Sequence, residues 1–159
     1  MTAEYLHVVD PGEGEAIWFL QTLMTVKASG AESGGAFSLI EAHYPPAFSP
    51  PLHLHHNEDE SFYVLAGEVV FTCGDRTWTA GPGAFAVLPR GVRHGFVISG
   101  SAPAKMLQMS SAPGLERFFR DAGAPATDRM LPPAGIEADG AALRSAAERY
   151  GVELLAPEG

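Results

Sequence analysis

The chain has 159 residues, of which 46% are hydrophobic and 18% charged, enough for one well-buried domain and too apolar for a wholly disordered polypeptide. Its net charge of −9 repels phosphate backbones and anionic lipid headgroups alike, so nucleic acid is not an expected partner. No apolar run is long enough to span a bilayer, so no membrane is expected either, and Cys73, the one cysteine, excludes an internal disulfide and a cysteine-based zinc site.

The N-terminal MTAEYLHVVDPGEGEA has neither the basic start nor the apolar stretch of a secretory signal, and a cytoplasmic location is expected. Prolines and glycines then cut the first two-thirds of the chain into short segments rich in Val, Ile, Phe, Tyr, Thr and Leu, the pattern of an all-β sandwich or barrel. In chain order these read as strands at Ile17–Leu20, Leu23–Lys27, Phe37–Tyr44, His53–His55, Ser61–Leu65, Val69–Thr72, Thr77–Thr79, Phe85–Leu88, His94–Ile98 and Lys105–Met109. Pro45 and Pro46 end the third, because proline cannot donate to a ladder; Gly74 and Asp75 make a tight hairpin. Leu115, Phe118 and Phe119 then recur at helical spacing before Gly123. After a connector over Ala124–Gly135, Asp139 caps a second helix over Ala141–Tyr150, with Leu143, Ala146, Ala147 and Tyr150 as its apolar stripe. Both stripes are expected to pack on the outside of the barrel or on a partner subunit, with no ligand role. The domain is read as 1–159, the barrel as about 17–110 and the helical extension as about 111–159.

Two clusters carry the chemistry. In PPLHLHHNEDESFYVLAGEV, strand alternation puts His53 and His55 on one face and Leu54 on the other, and Glu60 returns after a short turn from the neighbouring strand to the same interior. In GAFAVLPRGVRHGF, His94 opens a strand whose parity puts Phe96 and Ile98 on its own face. Any one of these histidines taken alone is as readily a surface or hydrogen-bonded core residue. Together, three neutral imidazoles and a carboxylate form a set suited to one divalent transition metal ion (Fe, Mn, Co, Ni, Cu or Zn), whereas Ca or Mg would take more oxygen. A carboxylate buried among apolar groups needs a cationic partner, which such an ion supplies. His56, Glu58 and Asp59 read as a solvated turn with at most a minor role behind the ligands or at the entrance. Tyr44, Phe48, Arg90 and Arg93 lie near the expected mouth. Neither a nucleophile elbow nor a phosphate loop is present.

The two clusters resemble the paired motifs of the cupin family. The first, His-x-His, four residues, Glu, six residues, Gly, is met by His53, His55, Glu60 and Gly67; the second, Gly, five residues, Pro-x-Gly, two residues, His, by Gly83, Pro89, Gly91 and His94. Where many members have Asn four residues beyond the last histidine, this chain has Ile98, which weakens a link to germin-like members. The resemblance implies a jelly-roll, double-stranded β-helix barrel and a metal held by His53, His55, Glu60 and His94. It also implies a homodimer, pairing at barrel edges. The flanks HLHHNEDESFYVLAGEV and APGLERFFRDAGAP are similar to small bacterial cupins grouped with quercetin 2,4-dioxygenases, in which the metal binds a deprotonated flavonol and O2, the ring is cleaved and carbon monoxide leaves. On that likeness Glu60 is both ligand and catalytic base, and Phe62, Phe96 and Ile98 are candidate walls for a flat aromatic substrate, core packing being their alternative role. A metal-assisted isomerase, decarboxylase or cyclase and a non-catalytic small-molecule-binding module are the competing readings, since one barrel hosts many functions.

Overall fold

In the computed structural model, which describes residues 6–156, all ten expected strands are present and two short ones join them. The ten are β1 (Glu15–Phe19), β2 (Thr22–Ala28), β3 (Ser38–Tyr44), β4 (His53–His55), β5 (Glu60–Ala66), β6 (Glu68–Cys73), β7 (Arg76–Ala80), β8 (Phe85–Leu88), β9 (His94–Ser99) and β10 (Ala104–Ser110). They are followed by α1 (Leu115–Ala122), β11 (Ala124–Pro125), α2 (Gly140–Tyr150) and β12 (Val152–Leu154). A seven-stranded antiparallel sheet runs β11-β1-β2-β3-β10-β5-β8 and a five-stranded one β12-β4-β9-β6-β7, giving a jelly-roll sandwich.

Alternation along the strands makes the core. Ile40, Ala42 and Tyr44 on β3, Met106 and Gln108 on β10, and Phe62 and Val64 on β5 are buried from one sheet, while Val69, Phe71, Phe96 and Ile98 are buried from the other. The rings of Phe62, Phe71 and Phe96 meet at centroid distances of 5.5 to 5.8 Å, in the offset and edge-on geometries that aromatic quadrupoles favour. Gly67, in the first motif, sits at φ 82°, and a Cβ there would come within 2.7 Å of the Ala104 backbone. Only glycine allows that turn to press against β10.

The C-terminal third departs from expectation in two places. Ala124 and Pro125, read from sequence as the start of a connector, pair with Trp18 and Ile17 of β1. More consequential is β12, which no alternating pattern announced: it pairs with β4, Val152 opposite His55 and Leu154 opposite His53. Both helix caps are where they were expected, Asp139 Oδ1 accepting from the backbone N–H of Ala141 and Ala142 at 2.9 and 3.0 Å, and the Gly123 N–H donating to Phe119 O. Asp121 of α1 accepts from Arg149 at 2.6 Å and from the Tyr150 hydroxyl at 2.7 Å, tying the helices together. No helix is long and apolar enough to cross a membrane among the described residues.

Buried Glu116 anchors α1 to the sheet. Its carboxylate accepts from the Ser38 hydroxyl and from the backbone N–H of Gly30 and Gly114. Burial opposes its charge, but these donors prevail and hold its pKa below the ordinary value of 4.5. A carboxyl depressed in the folded state contributes stability above its unfolded pKa and loses it as pH falls through the folded value. We therefore expect Glu116→Gln to flatten the decline of melting temperature below about pH 4.5. Glu116→Ala, which strands a buried hydroxyl, is expected to cost about 1–3 kcal/mol in denaturant unfolding.

Candidate metal centre

Strand β4 is three residues long and lies between β12 and β9, with His53 directly opposite His94. Three imidazoles thus come from one sheet. Glu60 opens β5 in the other, paired with Leu88 and Ser110, so it does not return on the strand beside β4, as the turn length suggested. It reaches the histidines across the interior. The interior face is the same; the route is a sheet crossing.

Each imidazole is fixed from behind by its Nδ1. His53 bonds Pro51 O at 2.8 Å, His94 bonds Val92 O at 3.0 Å, and His55 bonds Glu58 Oε1 at 2.5 Å. Carbonyls and carboxylates only accept, so Nδ1–H donates in all three and every Nε2 is turned inward. Glu60 Oε2 lies 3.0, 3.5 and 4.0 Å from the Nε2 of His94, His55 and His53, and one ligand atom from each of the four residues falls within 4.8 Å of the others. The buried His55 Nε2 has no hydrogen-bond partner. An orphaned imidazole nitrogen aimed at a carboxylate is what a bound cation would satisfy, so the donor set fits a divalent transition metal.

Electrostatics separate the four groups. Burial depresses the pKa of His53 to about 4, leaving a neutral ring with a free lone pair. At His55 burial also opposes charge, but Glu60 and Glu58 outweigh it and push the pKa up to about 10; a cation on Nε2 would take the place of that proton. Glu60 is fully enclosed, which alone would raise its pKa, yet His55, His94 and His53 hold it well below the usual carboxylate range. The carboxylate is therefore ionised.

Residues 40–110 match the cupin domain model. That stretch is a cupin domain. It is 28% identical over 90 residues to quercetin 2,3-dioxygenase of Bacillus subtilis, a stretch that covers 57% of this chain and 27% of that protein's length. Among solved structures it is similar to one described as a predicted oxalate decarboxylase from Thermotoga maritima (25% identity, TM-score 0.59, 66% of this chain and 98% of that one). It is similar also to the polyketide cyclase RemF from Streptomyces resistomycificus (26% identity, TM-score 0.57, 66% of this chain and 78% of that one).

The cluster opens on a cavity of about 50 Å³. Phe19, Tyr44, Phe48 and Phe96 line it, and so do Leu115, Phe118 and Phe119 of α1, Leu143 of α2, and Val152 and Leu154 of β12. Leu115, Phe118 and Phe119 of the α1 stripe and Leu143 of the α2 stripe, expected on the outside, therefore belong to the cavity wall: Glu116 ties α1 to β3, and β12, which follows α2, docks on the histidine strand. Among the described residues, no lysine or arginine lines it. Of the three candidate walls, the structure places Phe96 on the cavity, and Phe62 and Ile98 in the core behind it, each 1% exposed.

The turn after β4 also divides. His56 pairs with Glu153 at 3.0 Å and Asp59 with Arg90 at 3.1 Å, both on the surface as expected. Glu58 is not solvated: it is 7% exposed and takes the Nδ1–H of His55. Its position three residues after His55, in a turn that folds back, was the signal available in sequence. Glu58→Ala is expected to weaken metal affinity roughly 10–100-fold by freeing the His55 ring, measured by competition with a chelating indicator.

Gln108 and Tyr44 complete the site. Gln108 Nε2 donates to Glu60 Oε1, and the Tyr44 hydroxyl donates to Gln108 Oε1 at 3.2 Å. Gln108 escaped notice in sequence, although an amide at an inward strand position beside Met106 is itself an anomaly.

Proposed function

We propose that this cupin is a metal-dependent dioxygenase acting on an enolic or aromatic small molecule, with flavonols the first class to test. The observation that carries the reading is an ionised glutamate and three inward-facing imidazoles at the wall of an aromatic-lined cavity without a cationic side chain. A dicarboxylate or sugar phosphate would call for arginine or lysine beyond the metal; a flat, weakly charged ring system calls for Phe and Tyr. The likeness to quercetin 2,3-dioxygenase supports the same class.

His53, His55, Glu60 and His94 would hold one divalent transition metal, which supplies Lewis acidity that lowers the pKa of a substrate hydroxyl. Glu60 Oε2, 3.0 Å from His94 Nε2, would receive the hydroxyl proton, a role that requires this oxygen to leave the metal and its pKa to rise from the depressed value. Tyr44, Phe48 and Phe96 orient the ring and exclude water. A flavonol exceeds the 50 Å³ of the cavity, so the side chains of α1 and α2 that line it have to move apart on binding.

Anaerobic reconstitution with Fe, Mn, Co and Ni in parallel, followed by oxygen-electrode and absorbance assays on a flavonol panel, is expected to give flavonol-dependent oxygen uptake in at least one metal form. If every form leaves both reactants unconsumed, the reading fails. The likeness to RemF favours a second reading, metal-assisted ring closure on an oxygenated substrate, which conversion without oxygen uptake would support. We also propose a homodimer at the edge of the seven-stranded sheet, where β8 carries Phe85 and Val87 outward, 59% and 52% exposed; a sedimentation-equilibrium mass of one chain refutes it.

A further inference from the structure

Gln108 is buried at 5% exposure on β10, with Ile40 and Phe62 as its cross-strand neighbours. A primary amide in such surroundings is stable only when its donors and acceptor are used. Here its two partners fix its orientation. Gln108 Nε2 sits on Glu60 Oε1, so the NH2 group faces the carboxylate; the carbonyl is left for the Tyr44 hydroxyl, whose single proton then points at the amide. Tyr44 and Glu60 are both buried, 1% and 2% exposed.

We infer that Gln108, locked by Tyr44, is a positioning residue that holds Glu60 by Oε1 and so presents Oε2 alone to the three histidines. This rests on the metal reading given above. Two consequences follow from the geometry. Glu60 would offer a metal Oε2, since Oε1 accepts from Gln108. The amide also joins the carboxylate to the cavity wall: the Tyr44 ring meets Phe48 and Phe96 at 5.6 and 5.2 Å, and all three line the cavity. A ring entering there presses on the residue that sets the orientation of Gln108, so occupancy of the cavity and the angle of Glu60 are coupled.

Cobalt(II) reconstitution tests this without turnover, since the visible absorption of bound cobalt reports ligand geometry and competition with a chelating indicator reports affinity. Gln108→Leu is expected to weaken cobalt binding roughly 10–100-fold and to alter the visible spectrum. Tyr44→Phe, which keeps the ring and removes only the hydroxyl, is expected to shift both in the same direction by less. It decides the matter if Gln108→Leu does not fold. A lowered melting temperature with wild-type cobalt affinity and spectrum in both folded variants, or in Tyr44→Phe alone, would show a purely structural role and overturn the inference. If the wild-type chain takes up no cobalt, the ligand assignment itself falls and this inference falls with it.

Discussion

His94→Ala is expected to empty the site, with metal per chain falling to background and affinity lost by more than the roughly 10–100-fold typical of an outer partner. His94 occupies the centre of the cluster. Its ring lies 4.6 Å from that of His53 and stacks on that of His55 at 5.5 Å, and its Nε2 is the imidazole nitrogen nearest Glu60. Alanine leaves two imidazoles, a buried carboxylate and a void where a ligand stood. The other two rings cannot close it, because Pro51 O and Glu58 pin them from behind. Elemental analysis after reconstitution measures the effect, with His53→Ala as its companion. Unchanged stoichiometry in both would defeat the ligand assignment.

Glu60→Gln is expected to lower turnover by roughly 10²–10⁴-fold, the range for loss of a general base. The substitution conserves size and can still offer a carbonyl oxygen to a metal, so binding should suffer less than chemistry. Its cost lies in charge and in donors. A glutamine at this position turns an N–H either toward His94 Nε2 or toward the amide of Gln108, and it has no pKa with which to take up a substrate proton. Steady-state kinetics on the best substrate from the flavonol panel, at matched metal content, separates the two effects. Full turnover at full loading would exclude the proton-transfer role.

These two outcomes depend on residues that could be read directly from the chain. His-x-His on a strand fixes two imidazoles on one face through a period of two, and the Pro-x-Gly turn before His94 starts a strand at a defined parity. Short-range rules sufficed there, as they did for the ten strands and for the helix caps at Asp139 and Gly123, because each is decided within a few residues. The route of Glu60 was beyond such rules. A four-residue turn between His55 and Glu60 is compatible with a neighbouring strand or a sheet crossing, and only the pairing of β5 with β10 and β8 selects the crossing.

The same boundary runs through the rest of the site. Residue type and period determined by themselves that His53, His55, Glu60 and His94 share an interior, and that the ligand set suits a transition metal. Long-range pairing decided everything around them. β12 carries only three residues with no motif to mark them, yet its register on β4 brings Val152 and Leu154 to the cavity, beside α2, which precedes it. Gln108 acquired its role the same way, since a hydrogen-bond partner across 48 residues, as between Gln108 and Glu60, is set by which sheet faces which. Local chemistry chose the candidate ligands, and tertiary packing chose what holds them and what surrounds them.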